Sequence, residues 1–348
     1  MKIIGIAQLG CGYWGPNLLR CFAGLHQCGL KYVVEPSPER QHYVRRHYPG
    51  VQTKAGLEQV LDDPDVTAIV VATPARSHYE LARSALLAGK HVFVEKPLAM
   101  SVDEVDDLAA IADGASLILM VGHTFLYNPA VNLIKDLLGY DQLGEIYYAY
   151  SQRLNLGVIR QDVNALWNLA PHDISILCYL MQGAPESVFA CGTAYIQEKV
   201  EDVVFINLRF KERVQASVHV SWLDPHKVRR LTFVGSRKML VYDDTAEHKI
   251  AIYDKGIDQI SQAQEYPFDS VAPHKLVHRS GGVVMPSLPA VEPLKEEAEH
   301  FLDCIMTGNR PLTDSNHARL VVDVLQRAQA CLSSKHPGMG SSIPNDVT

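Results

Sequence analysis

No two of the seven cysteines stand in a CxxC spacing; they fall at 11, 21, 28, 178, 191, 304 and 331. Zinc-ribbon and dithiol redox chemistry are therefore not expected, nor is a metal site, and an odd, dispersed set reads as incidental thiols in a reducing compartment. No block of lysine or arginine interrupts the mixture of charges behind the net −7. Neither nucleic acid nor anionic lipid is an expected partner, because both require a concentrated basic footprint. No stretch approaches the roughly 20 apolar residues of a membrane span. The opening MKIIGIAQLGC is broken by Gly5 and Gln8, which makes it a poor secretion signal. Internal repeats and low-complexity segments are also missing. These absences point to a cytoplasmic protein with a small-molecule partner.

What is present is ordinary folded composition, 47% hydrophobic and 20% charged over 348 residues, enough for two or three domains. In the first third, short Val- and Ile-rich runs (IIGIAQL, KYVVE, VTAIVVAT, HVFVE, LILMVGH) alternate with helical segments. Strands without polar alternation are those of a parallel sheet buried on both faces. Residues 1–124 are predicted to form a doubly wound α/β domain. After Pro129 strand runs follow one another through short turns: EIYYAYSQRLN, DVVFINLRF, RVQASVHVSW, VRRLTFVGS, KMLVYDD, KIAIYDKG. They predict an α+β domain over 125–333 with an open-faced, mostly antiparallel sheet, one face on helices and the other on solvent or a second subunit. Residues 257–292 read as a long loop, 294–307 and 315–333 as helices of this second domain, and 334–348 as a polar tail.

Gly10-Cys11-Gly12-Tyr13-Trp14-Gly15 directly follows the first strand and opens a helix at Pro16, the context a GxGxxG loop requires. Gly10 permits the tight turn, Gly12 lets a pyrophosphate approach the backbone, and Gly15 packs helix on strand. Tyr13 and Trp14 belong to the same cofactor-side set. Glu35 ends the second strand about twenty residues on, placed to accept hydrogen bonds from ribose hydroxyls and to repel a 2′-phosphate. NAD is thus favoured over NADP, with Ser37 and Arg40 close enough to soften that preference.

The segment AGKHVFVEKPLAMS, with Glu95-Lys96-Pro97 at a strand end, ATPARSHYELA before it and VGHTFLYNPAV after it, resembles the glucose-fructose oxidoreductase, inositol dehydrogenase and rhizopine catabolism family. The resemblance covers nearly the whole chain. It implies a Rossmann domain with NAD across the carboxyl ends of its strands, a cofactor edge including Thr73, Pro74, His78, Glu95, Lys96 and Trp167, with His123 nearby, and Lys96 on the reacting hydroxyl, often across a cis Lys-Pro bond. Independently, an ammonium at a strand's carboxyl end stabilises developing alkoxide.

Family members carry an Asp, three residues and a His at a helix start; here those positions are Asn168 and His172, inside WNLAPHDISIL. With Asn168 as cap and Pro171 in the first turn, His172 would sit at the positive helix end and stay neutral, as a general base requires. Asp173 points about 100° away and reads as structural. Tyr127, Asn128, Arg153 and Arg160 join Lys96, Asn168 and His172 as substrate-side candidates, the arginines because a guanidinium fork suits a diphosphate. The Asn–His pair resembles members that oxidise nucleotide-linked amino sugars at C3. The expectation is an NAD-dependent dehydrogenase of a UDP-linked N-acetylamino sugar, UDP-N-acetylglucosamine above all, giving a 3-keto product. Alternatives are a free-sugar or inositol-type dehydrogenase, a 3-ketosugar reductase, and a non-catalytic regulatory dinucleotide binder. Homodimers or homotetramers are expected through the open sheet faces.

Overall fold

The computed structural model describes residues 3–261 and 274–334. In the first domain, β1 (Ile4–Leu9), β2 (Cys28–Val34), β3 (Gln52–Lys54), β4 (Ala68–Val71), β5 (His91–Glu95) and β6 (Leu119–Gly122) form a parallel sheet in the order β3-β2-β1-β4-β5-β6. The helices between them are α1 (Gly15–Ala23), α2 (Pro38–His47), α3 (Glu58–Leu61), α4 (His78–Leu87) and α5 (Val102–Gly114). Strand order reverses between β1 and β4, which opens a crevice at their carboxyl ends.

Both sheet faces are buried, which explains the missing polar alternation. Ile4, Ile6, Val70, Phe93 and Met120 fill one side, and Ala7, Leu9, Ile69, Val71, Val92 and Val94 the other.

The second domain starts with α6 (Pro129–Gly139), β7 (Ile146–Leu154) and α7 (Ala165–Leu180), followed by β8 (Ser187–Thr193), β9 (Val203–Arg209), β10 (Gln215–Ser221), β11 (Val228–Gly235), β12 (Met239–Asp243), β13 (Ile250–Ser261) and β14 (His274–Val284). Its eight strands run β14-β13-β12-β11-β7-β10-β9-β8, antiparallel except for the β7–β10 pair. The sheet's inner residues, such as Ala149, Val218, Val220, Leu231 and Phe233, are buried in one core with α7 and with α9 (Ser315–Ser333). Phe189, Phe205 and Tyr148 on the opposite face are exposed.

Two expectations change. The stretch 257–292 is not one loop, since β13 continues to Ser261 and β14 occupies 274–284; its pairing runs Ile257↔His278 and Ile252↔Val284. Residues 262–273 and the tail from 335 lie outside the described residues. The helix expected at 294–307 is α8 (Pro293–Thr307), and it covers the first domain's sheet beside α1: Phe301 meets Phe22 and Phe93 edge-on at 6.3 and 5.7 Å. Sequence order placed α8 in the second domain, whereas its apolar stripe of Leu294, Ala298, Phe301 and Leu302 completes the first.

Candidate active site

The glycine loop has the shape its sequence demands. Gly10 lies at φ +89°, and a Cβ there would come 2.6 Å from the Ala72 carbonyl oxygen. A Cβ on Gly15 would stand 2.8 Å from the Gly10 carbonyl. Gly12 differs, because a Cβ there would meet nothing closer than Arg40 Nη1 at 3.7 Å. The space over Gly12 opens into the crevice, so this glycine is free to receive a pyrophosphate against backbone N–H groups at the start of α1. Gln8, unnoticed in the sequence, holds the loop from below by donating to the carbonyls of Gly10 and Gly15, both at 2.9 Å. Tyr13 and Trp14 line the opening, with Tyr13 86% exposed.

Glu35 is buried at the adenosine end. Its Oε2 accepts from Cys11 N at 2.8 Å and its Oε1 from Ser37 N at 3.0 Å, with Arg40 Nη1 at 3.8 Å from Oε2. The carboxylate is fixed before any ribose arrives. These residues fit a dinucleotide with unphosphorylated ribose, which is NAD.

Thr73 and Pro74 line the crevice at the end of β4. His78 bridges that turn to the next, its ring nitrogens 2.8 Å from the Thr73 carbonyl and 2.7 Å from that of Pro97. It acts as a clamp, and burial lowers its pKa. Lys96, joined to Pro97 by a cis peptide bond, donates from Nζ to the Asn168 carbonyl at 2.9 Å. Burial lowers the Lys96 pKa to about 8, with Glu95 opposing and Arg153 and Arg160 assisting. Glu95 is pushed up to about 7, chiefly by burial.

Helix α7 corrects one argument. Its N-cap is Asn164, whose side chain accepts from Trp167 N at 3.2 Å, so Asn168 is not the cap. Pro171 lies inside the helix, where it removes the N–H that would reach the Trp167 carbonyl. His172 is two turns in, too far for the helix dipole to govern it. Its pKa nevertheless falls well below 6.5, through burial first and then Lys96, Arg153, His123 and Arg229. The ring stands edge-on to Phe125 at 5.1 Å, with Nδ1 buried and unpartnered. Asn168 is oriented by the Trp222 indole, which donates to its Oδ1 at 3.1 Å. The Trp167 indole is tied to Gln329 at 3.1 Å.

The other substrate-side candidates divide. Arg153 is buried and bound by Asp173, Nε to Oδ2 at 2.5 Å, under the Phe125 ring at 4.7 Å. Arg160 is forked onto Asp162 with two bonds of 2.8 Å. Both line the crevice, yet neither is an unengaged fork. Asn128 lines the crevice too, and caps α6 by accepting from Ala130 N at 2.9 Å. Tyr127 lies elsewhere, its hydroxyl 3.3 Å from Thr313 and its ring against His300 at 5.5 Å. It packs under α8 and is not a crevice residue.

Phe125, Trp222, Arg229, Asp244 and Lys249, none of them a candidate from sequence, also line the crevice. For Arg229 a signal existed: alternation in VRRLTFVG puts 229 on the side of buried Leu231 and Phe233. The crevice these residues line is continuous, about 1620 Å³, between the two domains. Among the described residues no group of three or more His, Cys, Asp or Glu could hold a metal ion, and no helix is long and apolar enough to cross a membrane.

Residues 4–123 match the model of an oxidoreductase family with an NAD-binding Rossmann fold, and 132–241 match the GFO/IDH/MocA C-terminal domain. A 2,7-anhydro-N-acetylneuraminate hydratase of Mediterraneibacter gnavus is 27% identical over 226 residues, 61% of this chain and 60% of that protein. A UDP-N-acetylglucosamine 3-dehydrogenase of Acidithiobacillus ferrooxidans is 29% identical over 199 residues, 56% and 59% of the two chains. The match thus spans about 60% of the length of these curated relatives. The crystal structure of a proposed oxidoreductase from Magnetospirillum magnetotacticum superposes with a TM-score of 0.79 at 27% identity, over 94% of this chain and 99% of that one.

Proposed function

This chain belongs to the GFO/IDH/MocA oxidoreductase family, and from that premise we propose that it is an NAD-dependent dehydrogenase of a sugar or polyol carbinol. The observation that carries the reading is the meeting of Lys96 and α7. An ammonium from the first domain and a neutral imidazole from the second line one crevice beside an open glycine loop. NAD, held by Gly10, Gly12, Gly15 and Glu35, supplies a hydride acceptor when bound. Lys96 donates to the reacting oxygen and stabilises charge developing there, while His172 takes the hydroxyl proton. A positioned base of this kind contributes roughly a hundred- to ten-thousand-fold.

For substrate we propose the C3 hydroxyl of a UDP-linked N-acetylamino sugar, UDP-N-acetylglucosamine first. Support comes from the Acidithiobacillus relative and from a crevice large enough for two nucleotide-bearing molecules. The pairing of Arg153 with Asp173 and of Arg160 with Asp162 favours the second reading, a free sugar or cyclitol without a diphosphate. Purified protein with NAD and a panel of UDP-sugars and free polyols decides between them, by absorbance of the reduced cofactor and mass spectrometry of the keto product. Turnover of free polyols alone sinks the nucleotide-sugar assignment. We further propose that copies pair through the exposed aromatic sheet face. Phe205→Asp is then expected to lower the sedimentation coefficient, and an unchanged value counts against that interface.

A further inference from the structure

Beneath the Lys96 and His172 pair lies a second group of ionisable side chains that the proposed reaction does not use. Glu297 is fully buried on α8, the helix that returns from the far end of the chain to cover the first domain. Its Oε2 accepts the Thr124 hydroxyl at 2.7 Å, and its Oε1 has no partner. Glu95 shows the same half-filled inventory: Oε2 accepts from Lys96 N at 3.2 Å, and Oε1 is buried and unpartnered. Gly122 on β6 leaves room for that carboxyl, since a Cβ there would lie 3.2–3.3 Å from it. The Thr124 hydroxyl that Glu297 accepts stands two residues past Gly122, beside the Glu95 carboxyl, and the charge of Glu95 acts on Glu297.

An isolated buried carboxylate costs several kcal/mol, and like-charged neighbours drive one of a pair to keep its proton. The proton also supplies the one thing both orphaned oxygens lack, because an ionised carboxylate only accepts whereas a protonated one donates. Among the described residues no lysine, arginine or histidine hydrogen-bonds or ion-pairs with Glu297. The groups that sense it are Glu95 on β5, Tyr127 after β6 and Cys21 on α1, none of them positive. Glu95, by contrast, has Lys96 and the Trp14 indole on its own side.

We propose that Glu297 is a positioning residue of the active site, a neutral carboxylic acid that shares one negative charge with Glu95 and thereby keeps Lys96 an ammonium facing the substrate hydroxyl. The inference rests on Lys96 being the group at that hydroxyl. Burial raises the Glu297 pKa well above 4.5, with Glu95 adding to it, in agreement with the neutral form.

Infrared spectroscopy of the protein without substrate tests the protonation directly. At about pH 8, where ordinary carboxyls are ionised, the wild type is expected to show a carboxylic-acid carbonyl band that Glu297→Gln lacks. The coupling is tested by the pH profile of kcat with whichever substrate turns over. Glu297→Leu removes the neutral acid beside Glu95, so Glu95 holds its charge less firmly and the Lys96 ammonium loses support; the alkaline limb is expected to move down by about one pH unit, a roughly tenfold loss on that limb. Glu297→Gln, which restores a neutral donor, is expected to bring the limb back. No such band in the wild type, its persistence in Glu297→Gln, or an alkaline limb unmoved in Glu297→Leu overturns the proposal. If no substrate turns over with any form, the dehydrogenase reading fails while the infrared result still decides the state of Glu297.

Discussion

Lys96 Nζ donates to the backbone carbonyl of Asn168 at 2.9 Å, which ties the end of a first-domain strand to the helical turn just before His172. The carbonyl it uses is the one a helical N–H at 172 also reaches, four residues back. The ammonium is thus set relative to the imidazole by the backbone of α7, without a salt bridge that would immobilise its charge. Lys96→Met preserves much of the side chain's bulk and removes the donor. It is expected to lower kcat by about a hundredfold or more. Binding of NAD, followed by fluorescence titration, should change little because the glycine loop is untouched. An unchanged kcat would remove Lys96 from the chemistry.

His172 and Asp173 are neighbours with different work. Asp173 is buried against Arg153 and also accepts from Ser151 at 2.6 Å. Asp173→Asn leaves a buried guanidinium without its counter-charge, for which roughly 3–5 kcal/mol of lost stability is expected. His172→Asn removes the base while the fold persists, so kcat falls and the melting temperature holds. Denaturant melts run beside steady-state kinetics separate the two. Equal loss of activity with intact folding in both variants contradicts this division.

The sheet, the glycine loop and Glu35 are legible in sequence because each depends on local chemistry: a strand, a tight turn, a carboxylate at a fixed distance; the Glu95-Lys96-Pro97 turn is legible only through the family resemblance. Asn164 was not distinguished from Asn168 as the cap of α7, since both are good N-caps four residues apart and only the contact with Glu201 and Gln329 favours the first. The proline then looked like a first-turn residue. Arg153 looked like a ligand fork because its partner, twenty residues away on a helix, leaves no trace in strand periodicity. Tyr127 and α8 share a cause: where a C-terminal helix packs is a long-range matter.

Two of the loop glycines, Gly10 and Gly12, should respond differently to alanine. At Gly12 a Cβ meets only Arg40 at 3.7 Å, so Gly12→Ala is expected to fold normally yet weaken NAD binding by about tenfold or more, because the methyl occupies the pyrophosphate's approach. Gly10→Ala combines φ +89° with a 2.6 Å approach to the Ala72 carbonyl, so it should lower stability as well. Calorimetric titration with NAD beside thermal melts reads both. Tight NAD binding by Gly12→Ala would show that the cofactor does not lie over this glycine.

Acid sensitivity follows from histidines that the fold keeps neutral. His317, at the start of α9, is largely covered, lies 2.8 Å from the Ser175 hydroxyl and has its pKa lowered from 6.5 to about 4, chiefly by desolvation. Because the folded value is depressed, the unfolded chain takes up the proton first as pH falls. The contribution is complete above 6.5 and is lost between 6.5 and 4, amounting to about 3 kcal/mol. His78, His123 and His172 are lowered as well and act in the same direction. Glu95 and Glu297 oppose them: their raised values favour the fold below about 4.5, an advantage lost as pH rises, for Glu95 through about 7. His219 and His300 are lowered too, so six histidines against two carboxyls leave a net loss on acidification. The midpoint of urea unfolding is expected to fall between about pH 7 and pH 5, and His317→Gln should flatten that fall. A variant with the wild-type slope would mean that His317 does not resist protonation in the folded chain.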